Sequence, residues 1–456
     1  MKLVSTNPAR GYEVVGSVDV STDEEIRSKV SLANKAELVW KELGIRKRIE
    51  LLRPICEEFK IRQKEIASLI TNEVGKPIRE AKSEASGYVE ELEWFLSNAK
   101  EALADEKTYE DSSSVHKIVY EPMGTAAVIT PWNYPFGMAV WGIFPNLIVG
   151  NTAVFKTSEE CPLMGKFIEE VISKHRLPEG VFSEVYGTGD VGEKLTRSNV
   201  KLIWFTGSTR VGKLLYKIAA EKFIKVILEM GGSNPCIVFE DADIKETASL
   251  IYSERFGNCG QSCDALKRLI VHESIFDSLI SELKRVVESK KVGDPQSGDT
   301  NLGSLVAKRQ QILLKEQVKD AVDKGAHVVT GGHAPKLNGA FYEPTLLANI
   351  TKDMRVWKEE VFGPVLPAVP FKTESEAVAL ANDTTYGLGS RIISKNTERA
   401  KRVASKIEAG TVEVNRASRW LLCNPFGGYK NSGMGREHGT VGFRELCQIK
   451  VVSMSK

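Results

Sequence analysis

The chain keeps two rhythms of apolar spacing. Beyond a turn at Pro8 and Gly11-Tyr12, Val14, Val15, Val18 and Val20 predict a short hairpin within the first 20 residues. Ser21, with Glu24 three residues on, reads as a capping box, and Ile26, Val30 and Ala33 follow at helical spacing. Helical character continues in broken stretches to about residue 101, interrupted by Gly75-Lys76-Pro77. A polar stretch from about 105 to 120, ending in Ile118-Val119-Tyr120, predicts a strand-rich excursion. From Gly124 the pattern changes. Short apolar runs at 126–130, 151–156, 181–186, 202–205 and 226–229 predict strands, and segments near 136–148, 162–175, 190–197 and 210–222 predict helices between them. Strands separated by helices imply parallel crossovers and a sheet covered on both faces. A second alternating unit runs from Cys236 to about Gly428. It has strands at 237–239, 268–272, 365–369 and 410–414, and helices at 248–256, near 275–290 and near 305–324. Residues 449–453 read as one last strand.

Composition narrows the class. At 456 residues, with domains of roughly 150 residues, about three domains or two large ones are expected. Apolar residues at 42% and charged residues at 27% suit an ordinary buried core. Lys plus Arg is 62 and Asp plus Glu is 60, so the net charge of +2 gives no pull towards nucleic acid or membrane. The longest apolar candidate, 136–150, is shorter than the roughly 20 residues a span needs and carries Pro145. The start, Met1-Lys2-Leu3-Val4, lacks the apolar core of a signal peptide. Seven cysteines without framework spacing suggest a reduced, cytoplasmic protein, and six histidines show no metal-ligand spacing, so no metal is expected.

Three short strings carry candidate chemistry. Gly260-Gln261-Ser262-Cys263 puts a thiol after glycine in a polar turn, a place for a reactive cysteine; a buried structural cysteine is the alternative. Leu228-Glu229-Met230-Gly231-Gly232 ends an apolar strand in a carboxylate, where ligand crevices open in α/β sheets and burial suits a general base; a surface ion pair is the alternative. Thr130-Pro131-Trp132-Asn133-Tyr134-Pro135 holds an Asn amide on a loop stiffened by two prolines, as an oxyanion hole requires; a turn-forming Asn is the alternative. Two glycine turns compete for a dinucleotide. Gly187-Thr188-Gly189-Asp190-Val191-Gly192 fits G-x-G-x-x-G but lacks an acidic residue about 20 positions on. Phe205-Thr206-Gly207-Ser208-Thr209 follows a strand and opens a helix, whose free N–H groups suit phosphate. Lys156 ends its strand as a candidate ribose or phosphate contact.

Taken with Glu360-Val361-Phe362-Gly363-Pro364 and Pro425-Phe426-Gly427-Gly428, these strings resemble the aldehyde dehydrogenase superfamily in order and spacing over nearly the whole chain. The length and the runs 229–235 and 259–269 resemble its compact succinate-semialdehyde dehydrogenase group. The resemblance implies an α/β fold in three parts: a Rossmann-like dinucleotide-binding domain (1–104 and 124–231), an α/β catalytic domain (232–438), and a small β oligomerisation element (105–123 and 439–456). It implies Cys263 as nucleophile, Glu229 as general base and Asn133 as oxyanion donor. The implied cofactor-binding set is Thr130, Pro131, Trp132, Lys156, Ser158, Glu159, Gly189, Thr206, Gly207, Ser208, Glu360 and Phe362. The implied cofactor is NAD, because Glu159 would repel a 2′-phosphate, with NADP possible if its side chain swings away. The implied reaction oxidises an aldehyde, with succinate semialdehyde first, to its acid through a thiohemiacetal and a thioester. Phe136 and Trp141 are expected as apolar walls for the substrate, and Arg416 or Arg419 as the grip on a substrate carboxylate. Another small aldehyde such as lactaldehyde, a CoA-acylating enzyme, and a silent protein on the same fold are the alternatives. Glu229 argues against the CoA-acylating class, and the intact Cys263, Glu229 and Asn133 argue against the silent one. Cys259, four residues before Cys263, is either a redox partner for it or an incidental small residue. A homodimer or homotetramer is expected from a sheet edge that seeks a partner.

Overall fold

The computed structural model describes residues 1–418 and 420–456. The apolar hairpin forms from Lys2–Asn7 and Glu13–Asp19, paired antiparallel. Four helices follow, Asp23–Glu42, Gly44–Ile61, Gln63–Val74 and Ile78–Ala102. The first is capped one residue later than the capping-box pattern suggests: the Thr22 hydroxyl accepts from the Glu25 N–H, while Ser21 accepts from the Tyr186 N–H. Either hydroxyl can cap a helix, and Ser21 is taken by the loop that follows Phe182–Glu184. The break at 75–77 needs its glycine. Gly75 sits at φ 77° and ends one helix, and Pro77 stands immediately before the next.

Two sheets form the body of the molecule. The first, among the described residues, has the strand order Gly433–Met434, Lys225–Glu229, Leu202–Thr206, Thr125–Ile129, Thr152–Lys156, Phe182–Glu184. All its pairings are parallel except the edge at Gly433–Met434. Its central strands are buried along nearly their whole length, which is why they read as unbroken apolar runs. The second runs His327–Thr330, Thr345–Ala348, Val365–Phe371, Leu266–His272, Asn234–Val238, Gly389–Ile393, Thr411–Val414. A third, smaller sheet pairs Ser114–Pro122 with Glu106–Glu110 on one side and Cys447–Ser455 on the other. Gly433–Met434 returns to the first sheet although the sequence division puts 232–438 with the second; that return lays glycine backbone over the end of Lys225–Glu229. Pro135–Val149 is buried all round, but no described helix is long and apolar enough to cross a membrane.

Candidate active site

The first sheet reverses direction between Thr125–Ile129 and Leu202–Thr206. From the former the chain proceeds outward to Thr152–Lys156 and Phe182–Glu184, and from the latter to Lys225–Glu229. Ligands enter open α/β sheets at such a reversal, outside the carboxyl ends of the strands. The loops leaving these two strands, carrying Pro131, Trp132 and Asn133 on one side and Gly207 and Ser208 on the other, both face a cavity of about 750 Å³. Residues before Leu266–His272 close it from the opposite sheet, so Cys263 stands on the same cavity as Asn133, with Glu360 and Phe362 beside it.

The cysteine loop is wound tightly. After the helix Ile244–Phe256, Asn258, Cys259 and Gly260 all take positive φ, at 50°, 54° and 69°. Any Cβ at Gly260 would lie 2.4 Å from the Gly363 carbonyl, so only glycine lets the two loops touch. Buried Arg255 ties them further, donating to the carbonyls of Val361 at 3.0 Å, Val365 at 2.7 Å, and Gly363. The Lys267 ammonium donates to the Cys263 carbonyl and to Glu360 Oε1, each at 2.7 Å, and the same oxygen accepts from the Gly232 N–H at 3.0 Å. One cation therefore links the thiol-bearing loop to Glu360.

Asn133 is held just as closely. Its Nδ2 donates to the Gln261 carbonyl at 3.1 Å, leaving a second amide hydrogen. Its own carbonyl accepts from Lys76 Nζ at 2.9 Å and from Asn258 Nδ2 at 2.8 Å. Lys76 is ion-paired to Glu84, both buried, and Glu84 Oε1 accepts from the Phe136 and Gly137 N–H groups at 3.3 Å. A carboxylate at the start of the helix Pro135–Val149 suits the helix dipole there. Sequence reading treated Gly75-Lys76-Pro77 only as a break between helices; a lysine inside such a break was the available signal.

Burial pushes the Cys263 thiol well up, nearby Asp264 adds to this, and Lys267 opposes it. Burial likewise raises Glu229 far above the usual carboxylate range, with Arg436 pulling back. Glu229 does not line the cavity. It is 2% exposed, and a Cβ at Gly427 would lie 2.8 Å from its Oε1. Neither carboxylate oxygen has a hydrogen-bond partner among the described residues. Cys259 and Cys263 are both free thiols. Cys259 sits in the apolar core of the second sheet, whereas Cys263 packs against that of the first.

Other expected residues fall in three places. Trp132, Thr206, Gly207, Ser208, Glu360 and Phe362 line the cavity, and the Trp132 and Phe362 rings meet edge to face at 5.6 Å. Lys156, Ser158, Glu159 and Gly189 gather on the flank beyond it. Lys156 Nζ is 4.0 Å from Glu159 Oε2, and its stem lies beside Gly192 of the other glycine turn. Burial lowers the Lys156 pKa, partly offset by Glu159. Phe136, expected as a substrate wall, does not line the cavity: it is fully buried and meets Phe59 edge to face at 5.2 Å. Arg416, expected to grip a substrate carboxylate, lines a separate hollow with Asp243, Glu246 and Lys395 rather than this cavity. Arg419 lies outside the described residues. Trp141 does line the cavity, joined by Trp420 and by Tyr88, Glu91 and Phe426, the last three not singled out in the sequence for substrate contact.

The wall beside Thr206 fits a nicotinamide dinucleotide. The helix Thr209–Lys222 opens there with Ser208 as its cap, which offers first-turn N–H groups to a pyrophosphate. The buried hydroxyls of Thr130 and Thr206 have no partner among the described residues.

Comparison with known proteins agrees with this geometry. The model of the Aldehyde dehydrogenase family matches residues 1–452. A glutarate-semialdehyde dehydrogenase of Pseudomonas aeruginosa is 36% identical over 453 residues, covering 98% of this chain and 93% of that protein. A succinate-semialdehyde dehydrogenase of Deinococcus radiodurans, named for NADP(+), is 36% identical over 449 residues, covering 98% and 94%. The crystal structure of an NAD-dependent aldehyde dehydrogenase from Sinorhizobium meliloti superposes with a TM-score of 0.96 at 34% identity, over 100% of this chain and 91% of that one. With family sequence, fold and a thiol-lined cavity in agreement, the chain belongs to the aldehyde dehydrogenase family and is an NAD(P)-dependent oxidoreductase acting on aldehydes.

Proposed function

We propose that Cys263 carries the reaction as a covalent nucleophile, with Asn133 as oxyanion donor and Glu229 as base. The observation behind this is that Cys263 and Asn133 line one cavity together with the Thr206–Gly207–Ser208 turn and the rings of Tyr88 and Trp141. The Cys263 sulfur, having lost its proton to solvent, forms a C–S bond to the aldehyde carbon while the carbonyl π pair moves to oxygen. The free amide hydrogen of Asn133 and the backbone N–H of Cys263 hold that oxyanion. Bound NAD(P) supplies the hydride acceptor. The start of the helix Thr209–Lys222 would hold its pyrophosphate, Lys156 and Glu159 the adenosine ribose, and Glu360 the nicotinamide ribose. On the resulting thioester Glu229 takes a proton from water, the new C–O bond forms, the C–S bond breaks, and the thiolate leaves with its electron pair. Glu229 reaches this water by turning about its side-chain torsions, and no hydrogen bond from the described residues holds its oxygens where they rest.

Succinate semialdehyde comes first among substrates because curated relatives are named for it and for glutarate semialdehyde. The Glu159 carboxylate beside Lys156 favours NAD, with NADP admitted when it swings out. The first and second sheets support a dinucleotide-binding domain at 1–104 and 124–231 and a catalytic domain at 232–438, and the third sheet supports an oligomerisation element at 105–123 and 439–456. A homodimer or homotetramer in the cytoplasm completes the reading; the odd, unframed set of seven cysteines suits a reducing compartment.

A panel of aldehydes with both nicotinamides, with and without CoA, tests this. Nicotinamide reduction with free acid as product, abolished in Cys263→Ala, is expected. An acyl-CoA product, or reduction that survives Cys263→Ala, would overturn it.

A further inference from the structure

The reaction above uses Cys263 and Glu360 but not the lysine between them. Lys267, near the start of the strand Leu266–His272, does not line the cavity. It stands behind the wall that Cys263, Glu360 and Phe362 form, with 1% of its side chain exposed. An ammonium buried to that degree is costly unless charge and hydrogen bonds compensate it. Its compensation comes from the site itself. One hydrogen goes to the Cys263 carbonyl and another to Glu360 Oε1, each at 2.7 Å, and the ammonium lies 5.5 Å from the centre of the Phe362 ring. The Gly232 N–H holds the same Glu360 oxygen at 3.0 Å. The chain at 231–232 is bare where these groups converge. A Cβ at Gly231 would lie 2.3 Å from Glu360 Oε2, and one at Gly232 would lie 2.5 Å from the Cys263 carbonyl. The thiol turn, the carboxylate and the glycine pair are therefore packed round one cation.

The charges that bear most on the Cys263 thiol are Asp264 in its own turn, Lys267 on the strand that follows, Glu360 on the loop before Val365–Phe371, and Glu229 at the end of Lys225–Glu229. Among them only Lys267 favours the thiolate; the three acids oppose it. Without Lys267, Glu360 would be an uncompensated anion near the sulfur, and its Oε1 would keep only the Gly232 N–H. We propose that Lys267 is a positioning residue of the reaction: it holds the Cys263 turn and Glu360 as one unit and cancels the repulsion between that carboxylate and the thiolate. This rests on the roles proposed above for Cys263 as nucleophile and Glu360 as the ribose contact.

Iodoacetamide reads the thiolate directly, because the sulfur displaces iodide once its proton is lost. Labelling of the Cys263 peptide in the full-length protein is followed by mass against pH, without nicotinamide. In Lys267→Met the curve is expected about one unit higher in pH, so that labelling at a fixed pH slows about tenfold. Adding Glu360→Gln to Lys267→Met removes the stranded anion and brings the curve back towards that of the unaltered enzyme. Glu360→Gln alone keeps the cation and moves the curve to lower pH. Lys267→Arg keeps the charge and stays within about 0.3 units of the unaltered enzyme. In steady state, Lys267→Met raises the KM for NAD(P) about fivefold and that for aldehyde less than about twofold. A lysine that only held the fold together would lower the melting temperature but leave the labelling curve and the ratio of the two KM values where they were. That result would overturn the proposal, as would a displaced curve that Glu360→Gln fails to relieve. If Lys267→Met does not fold, Glu360→Gln alone decides, and a curve unmoved or moved to higher pH overturns the proposal. Complete labelling of Cys263 with nicotinamide reduction intact would instead bring down the reading on which it rests.

Discussion

Two acids that hold on to their protons set the chemistry at the scale of single residues. The Cys263 thiol is raised by burial and by Asp264, and Glu229 is raised by burial in an apolar strand end. Glu437, buried nearby and raised by burial and then by Glu229, makes it harder still for both carboxylates to ionise together. In the proposed mechanism attack needs the thiolate and hydrolysis needs the carboxylate, so both groups must lose a proton before they act. A raised pKa moves that loss to higher pH. The kcat/KM is therefore expected to keep climbing from about pH 6 to about pH 9. In Glu229→Gln, acylation should persist while hydrolysis slows by about a hundredfold, leaving a burst of reduced nicotinamide followed by a slow phase. A profile flat across that range, or a Glu229→Gln enzyme with no burst, would contradict these roles.

Among the elements, the strand Cys447–Ser455 stands out. It forms one edge of the three-stranded sheet and leaves Ile449, Val451 and Met454 largely exposed. An exposed edge with alternating apolar side chains invites a partner. Light scattering is expected to return at least a dimer, and replacing Ile449 and Val451 together by Lys is expected to shift the population to single chains; a monomeric parent would contradict this. The central strands of the first sheet were legible in the sequence, because strands buried on both faces read as short apolar runs, and Gly-Lys-Pro reads as a break. The site was legible where its residues sit in strings of glycine and proline, as Asn133, Cys263, Glu360 and Phe362 do. It was illegible where distant side chains converge. Glu91, Trp420 and Phe426 come from a helix and a loop more than 300 residues apart in the chain. Phe136 and Trp141 looked alike in sequence, yet five positions on a helix turn the second roughly 140° from the first, so one entered the core and the other the cavity.

For the whole molecule, two sheets meet across one cavity, and neither completes the site alone. The first brings the turn at Thr206–Gly207–Ser208 together with Asn133; the second brings Cys263 and Glu360, bridged by Lys267. The buried pair Lys76–Glu84 clamps the Asn133 loop from a third direction, so the oxyanion donor proposed there is fixed before any substrate arrives. Such a junction suits a substrate held covalently on one side while its hydride leaves towards the other. Trapping that covalent state gives the most direct measurement. Glu229→Gln protein is mixed with an aldehyde and NAD(P), quenched in acid, and read by intact and peptide mass. The expected result is one acyl group on the peptide carrying Cys263, absent in Cys263→Ala; acid formation without any adduct, or an adduct on another cysteine, would contradict it.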